Sequence, residues 1–316
     1  MSFALIHNFR SRKNRRNGEA FSKEAARILK DNFVLSDSRE CMTKRVQLLY
    51  ERGIKTIAID GGDGTVSTVL TAIERIYPSN ALPDIAVLAS GNTNLIAGDV
   101  GFGVRGMEAI RRLQKRDMIR SSIRTPIKLS WPDTNRAPVL GLFGGCAGYA
   151  RAVQIAHSPN VLKFAPHDLA VGFTLASSIT SLMFEKSRYK WLKGNPLKVE
   201  IDGQLYDGNS FMFLVTGLSR LSQGIWPFWD AEPNIKGLRY LDVSAYPQNL
   251  MRATSALLRG RAPRWLRLHP DYLSGRADDI MIETDSEFIL DGEVFAPPET
   301  KRLRLERAPA FRFLHA

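Results

Sequence analysis

The chain has 316 residues, 44% hydrophobic and 24% charged, and its 44 Lys and Arg against 32 Asp and Glu leave a net charge of +12. That composition excludes disordered, collagen-like and disulfide-rich classes and supplies the material for one large or two ordinary domains. The basic surplus points to a polyanionic partner, whether nucleic acid, a phosphate-bearing ligand or an anionic membrane face.

Residues 3–6 read as a short apolar strand ending at Asn8, too short for a secretory signal. Five basic residues follow, Arg10, Arg12, Lys13, Arg15 and Arg16. Phe21, Ala25, Ile28 and Leu29 then recur at helical spacing, residues 33–35 suit a second strand, and Met42, Val46, Leu49 and Tyr50 mark a second helix stopped by Gly53. Residues 54–59 are a β-branched strand broken by glycines, after which Val66, Val69, Leu70, Ile73 and Ile76 return to helical spacing up to Pro78. Residues 85–88 form another buried strand, and Met107, Ile110 and Leu113 another helix. Strands alternating with helices imply right-handed crossovers and a mostly parallel sheet.

The texture changes near residue 125. Residues 128–131, 139–143, 197–201, 211–216, 240–244, 280–283, 288–290 and 303–305 read as strands. Asp-Gly pairs at 202–203, 207–208 and 291–292 read as hairpin turns. Two helix-like inserts, roughly 167–186 and 249–259, interrupt them. The expected domains are therefore 1–125, α/β, and 126–316, β-rich. The apolar stretch 169–184 is shorter than a ~20-residue span and carries five Ser and Thr, so no transmembrane segment is expected. Cys41 and Cys146 stand apart, without zinc spacing, and suit a reducing compartment.

The most informative stretch is Gly61-Gly62-Asp63-Gly64-Thr65, between a strand and an amphipathic helix. Glycines there let the backbone adopt unusual conformations and approach a ligand closely. Free N–H groups at the helix start favour a phosphate, and Thr65 suits the N-cap. Asp63 among those donors makes sense if it meets Mg²⁺ or orients a hydroxyl. No Walker lysine is present. Gly91-Asn92-Thr93-Asn94 opens a second turn of the same kind.

Three segments, in order, resemble the diacylglycerol kinase catalytic domain family. Gly61 to Thr65 is similar to its GGDGT motif, shared with sphingosine kinases and, more distantly, NAD kinases. Ala89-Ser90-Gly91-Asn92-Thr93-Asn94-Leu95-Ile96-Ala97 is similar to P-x-G-T-x-N-D-x-A, with Leu95 where the family has Asp, and Asp291-Gly292-Glu293 matches a late D-G-E. Asn8 matches the Asn of the opening loop.

The resemblance implies a nucleotide-binding α/β domain and a β-rich second domain with the active-site cleft between them. It implies an ATP- and Mg²⁺-dependent lipid kinase that phosphorylates a diacylglycerol-like hydroxyl. ATP phosphates would meet Asn8, Arg12, Gly61, Gly62, Asp63, Gly64, Thr65, Gly91, Asn92, Thr93 and Asn94. Asp291 would be the general base, Glu293 its acidic partner, and Asp63 a rival base or the metal ligand. The Asp-Gly pair of a structural Mg²⁺ site is replaced by Ile235-Lys236-Gly237.

The alternatives are a sphingoid-base or ceramide-type kinase, or a nucleotide- or lipid-binding homologue without catalysis. NAD kinase fits less well, because no Asn-Asn-x-x-Glu segment follows the glycine loop. Arg252, Arg259, Arg261, Arg264 and Arg267, set among Leu and Trp, suit peripheral contact with an anionic membrane. A cytoplasmic protein at the inner membrane face is expected, with no nucleic-acid partner, and a homodimer is left open.

Overall fold

The computed structural model describes all residues except 1–2, 12, 15–17, 37–38, 92–93, 117–118, 157–188, 190, 222–224 and 230–235. Arg12, Asn92, Thr93, Ile235 and the expected insert at 167–186 thus lie outside the described residues. The chain divides into two compact units, residues 1–126, 139–141 and 309–316, and residues 127–138 and 142–308. The sequence assigns everything after residue 125 to the second domain. Two short pieces of that stretch belong instead to the first unit.

The first unit begins β1 (Phe3–His7), α1 (Gly18–Leu29), β2 (Phe33–Leu35), α2 (Arg39–Glu51), β3 (Thr56–Gly61), α3 (Asp63–Ile76) and β4 (Asp84–Ala89). It continues with α4 (Leu95–Val100), α5 (Gly106–Lys115) and β5 (Arg120–Arg124). β6 (Ile127–Ser130) opens the second unit, and β7 (Val139–Gly141) returns to pack on α3. The sheet order is β2-β1-β3-β4, then β17 (Phe311–His315), then β5. All neighbours run parallel except β17 and β5.

Every residue of β1 and β3 is buried, which explains why these strands read as unbroken apolar runs. Phe3, Leu5, Ala58, Ala86 and Leu88 pack with Ala25 and Leu29 of α1 and with Ala109, Ile110 and Leu113 of α5. The β2-to-β3 crossover runs opposite to the β1-to-β2 crossover, so right-handedness sends α2 to the other face, where it packs on α3. The direction of winding therefore reverses between β1 and β3. Outside the carboxyl ends of these two strands is where open α/β sheets bind ligands.

The second unit contains β8 (Phe143–Ala147), α6 (Gly148–Ala156), β9 (Asn195–Ile201), β10 (Gln204–Thr216) and β11 (Leu238–Ser244). After these come α7 (Leu250–Leu258), α8 (Arg264–Arg267), β12 (Tyr272–Ala277), β13 (Asp279–Thr284), β14 (Phe288–Leu290), β15 (Glu293–Phe295) and β16 (Arg302–Arg307). Its strands run β15-β14-β8-β10-β9-β13-β16-β6, all antiparallel, with β11 joining β10 to β12. The 13-residue β10 forks at a register shift between Ser210 and Met212. Its first half pairs with β9 and its second half with β8 and β11. Asp202-Gly203 and Asp291-Gly292 are two-residue hairpin turns with both φ positive, as expected. Asp207-Gly208 is not a turn but lies inside β10. No helix among the described residues is long and apolar enough to cross a membrane.

Asp242 on β11 is a costly element of this sheet. Its Oδ1 is buried without a hydrogen-bond partner, and desolvation lifts its carboxyl from 3.8 to about 6 against a bond from Ser210. A pKa raised by folding adds stability that is full below pH ~4, the range of an unfolded Asp, and is lost as pH rises through ~6. Asp242→Asn should therefore match the wild type at pH ~4 and melt above it at pH ~7. Thermal unfolding across pH checks this, and parallel curves for the two proteins would refute it.

Candidate functional site

The site in the first unit is two glycine loops held face to face. A Cβ on Gly91 would stand 2.5 Å from Gly62 Cα, and one on Gly62 would stand 3.1 Å from Gly91 Cα. None of Gly61, Gly62, Gly64 and Gly91 has a positive φ. The expectation of unusual glycine conformations is thus corrected: glycine is needed here so that two main chains can touch. At Gly61 a Cβ would meet the Thr65 side chain at 2.6 Å. Gly64 lies in the first turn of α3, its carbonyl accepting from Thr68 Oγ1 at 2.8 Å.

Thr65 is not the N-cap. That position is Gly62, extended at φ −92° and ψ 179°, and its carbonyl receives the N–H groups of Thr65 and Val66 at 2.9 and 3.1 Å. The Thr65 hydroxyl instead accepts from Asn8 Nδ2 at 2.8 Å, tying the loop after β1 to the start of α3. Asn8 Oδ1 accepts from the N–H of Arg10 at 2.9 Å, a local turn. Helical geometry leaves the N–H groups of Asp63 and Gly64, which open α3, without intrahelical acceptors at its positive end.

Asp63 does not stand free. Its two oxygens accept from the N–H groups of Leu95 and Ile96, at 3.0 and 3.2 Å. It therefore caps α4 from another helix, across 32 residues of chain. Burial raises its carboxyl to about 6, and those two bonds oppose the rise. The carboxylate thus faces the positive end of α4. Among the described residues no group of three His, Cys, Asp or Glu is placed to hold a metal. Leu95 meets Asp63 through its main chain, so this contact does not depend on its side chain. Asn94, left-handed at φ 47°, reaches back to Gly91, accepting its N–H at 2.9 Å and donating to its carbonyl at 3.0 Å.

Sequence reasoning missed the support beneath these loops. His7 Nδ1 lies 2.7 Å from Asp60 Oδ2, both residues buried, and Ser90 Oγ donates to Asp60 Oδ1. Asn14 Nδ2 donates to the Asn8 carbonyl at 2.9 Å, and the N–H of Lys13 to the Ser90 carbonyl at 3.2 Å. The basic loop is thereby bound to both glycine loops. Beside them a cavity of about 360 Å³ is lined by Asn14, Phe21, Glu24, Asp60, Arg105 and Met107. Arg105 Nε is buried there without a hydrogen-bond partner.

In the second unit Asp291 and Glu293 belong to the β14–β15 hairpin. Asp291 has φ 49°, and its carboxylate accepts the N–H groups of Leu142 and Phe143, each at 2.9 Å. Its own N–H donates to the Phe143 carbonyl at 2.9 Å. Asp291 thus fastens the hairpin to the start of β8. Glu293, two residues on, is half-buried.

Residues 2–124 match the family described as diacylglycerol kinase catalytic domain. No curated protein matches the chain. The fold is similar to that of a diacylglycerol kinase from Bacillus anthracis str. Sterne, at TM-score 0.59 and 16% identity over 99% of this chain and 96% of that one. A second structure from the same strain, named as a candidate diacylglycerol kinase, aligns at TM-score 0.62 and 17% identity over the same shares. The family match over residues 2–124 and the likeness of fold over the whole chain fall on the same paired glycine loops.

Proposed function

We propose that the protein is an ATP-dependent lipid kinase that transfers the γ-phosphoryl group to the hydroxyl of a diacylglycerol-like lipid. The observation that carries this reading is the apposition of Gly62 and Gly91 at the start of α3, locked by Asp63 on α4. Such a surface offers main-chain N–H groups and no side-chain bulk, which is what a chain of phosphates needs. Asn8 Nδ2 and the Thr65 hydroxyl each retain a hydrogen for phosphate oxygens after bonding to each other. The neighbouring cavity has room for the nucleoside end of ATP, with Arg105 Nε as a donor in need of an acceptor. Mg²⁺ would arrive with the nucleotide, held by phosphates and water.

Phosphoryl transfer asks the protein mainly for positioning and charge, plus one group to take the acceptor's proton. Asp291 is assigned that proton by the match to D-G-E. Asn tolerates a left-handed turn and keeps one acceptor for the β8 N–H groups. Asp291→Asn should therefore retain ATP affinity while turnover falls ~100-fold or more. Unchanged turnover would remove Asp291 from the mechanism.

The reading itself is tested by incubating the protein with γ-labelled ATP and mixed micelles of diacylglycerol, a sphingoid base or ceramide. Label is expected in phosphatidic acid. Label in another lipid would correct the acceptor, and ATP binding without label in any lipid would leave a binding protein.

A further inference from the structure

We propose that α7, α8 and the turn between them dock the protein onto a membrane surface bearing anionic headgroups. The 20 residues from Asn249 to Leu268 hold five arginines, Arg252, Arg259, Arg261, Arg264 and Arg267, and no Asp or Glu. All five are exposed. Arg252 lies over the Trp265 ring at 4.7 Å and Arg267 Nε donates to the Ala262 carbonyl at 2.6 Å, but no carboxylate among the described residues pairs with any of the five. Other arginines of the chain do have carboxylate partners. Arg112 meets Glu108, Arg304 meets Asp279, Arg307 meets Asp278 and Arg312 meets Asp84.

The segment is held in place from beneath. Ala253, Leu257 and Leu266 are buried, and the Arg252–Trp265 contact ties α7 to α8. Its outer side also carries apolar tips. Met251 is 54% exposed, Leu258 40% and Leu268 71%. Each adjoins an arginine in sequence, at Met251-Arg252, Leu258-Arg259 and Arg267-Leu268.

This pairing chooses the occupant. Guanidinium groups meet phosphate headgroups while the apolar tips enter the boundary with the acyl chains. A nucleic acid would use the charge but not the tips, and one face of the segment's single Trp is covered by Arg252. A second copy of the chain would bring the same positive charge and be repelled. The inference stands apart from the kinase reading, since docking requires no phosphoryl transfer.

The test is co-sedimentation of the full chain, without nucleotide, with phosphatidylcholine vesicles that contain or lack phosphatidylglycerol. Binding is expected only with phosphatidylglycerol and should be released by high salt. Arg259→Glu, Arg261→Glu and Arg264→Glu together should lower partitioning on the order of a hundredfold or more. Met251→Ser with Leu268→Ser should lower it several-fold with the charge intact. Both variants change exposed positions, and an unaltered melting curve confirms their folding. Equal binding to neutral vesicles, or binding to anionic vesicles that the charge reversal leaves untouched, overturns the proposal. So does capture by single-stranded RNA in preference to vesicles.

Discussion

Alanine at position 91 is expected to lower ATP affinity on the order of a hundredfold. The new Cβ would lie 2.5 Å from Gly62 Cα, and no rotamer can relieve contact between two main chains. The loops must part, at a packing cost of ~1–3 kcal/mol. Asp63, bonded to Leu95 and Ile96, spreads that shift to α4. Gly208→Ala is the matching control, because its Cβ would meet nothing within 4 Å and its φ is not positive. It should leave affinity and stability near those of the wild type. Calorimetric titration with ATP beside thermal melts would check both. Normal affinity in Gly91→Ala would show that phosphate does not use this apposition.

Arg124→Ala is expected to be the most destabilising single change in the first unit. Arg124 Nε and Nη2 grip the two oxygens of Asp99 at 2.6 and 2.8 Å, and the Asp99 side chain is 1% exposed. Removing one partner of a buried ion pair costs ~3–5 kcal/mol. For a unit of this size the melting temperature should fall on the order of 10 °C. Asp99 belongs to α4, whose first N–H groups hold Asp63, so ATP affinity should fall as well. Adding Asp99→Asn should restore part of the stability, because the buried negative charge is gone. A loss under ~1 kcal/mol would mean that the pair is screened like a surface one.

Much of the first unit was legible because its information is local. Buried parallel strands such as residues 57–59 and 85–88 are unbroken apolar runs, and the string from Gly61 to Thr65 marks its own place between strand and helix. The missed features depend on partners far along the chain. Thr65 looks like an N-cap by its neighbours, yet its hydroxyl belongs to Asn8, 57 residues earlier. Asp63 caps α4 through N–H groups 32 and 33 residues further along the chain, and because that contact is with main chain the change at Leu95 is harmless to the clamp. His7 faces Asp60 only because β1 and β3 pair in that register. The strand at 311–315 has no counterpart among the strands expected from the sequence, and it returns to the first sheet, where Arg312 reaches Asp84 at 2.6 Å. In the second unit, Asp291-Gly292 advertises its turn but not the two N–H groups its carboxylate serves.

Hydrogen exchange at single amides, with and without ATP, most directly tests whether the first turn of α3 receives the nucleotide's phosphates. Saturating ATP should slow exchange at Asp63 and Gly64 and in the loop around Gly91, and Gly91→Ala should erase that protection. ATP that binds with full affinity while these amides exchange as fast as in the free protein would contradict the account.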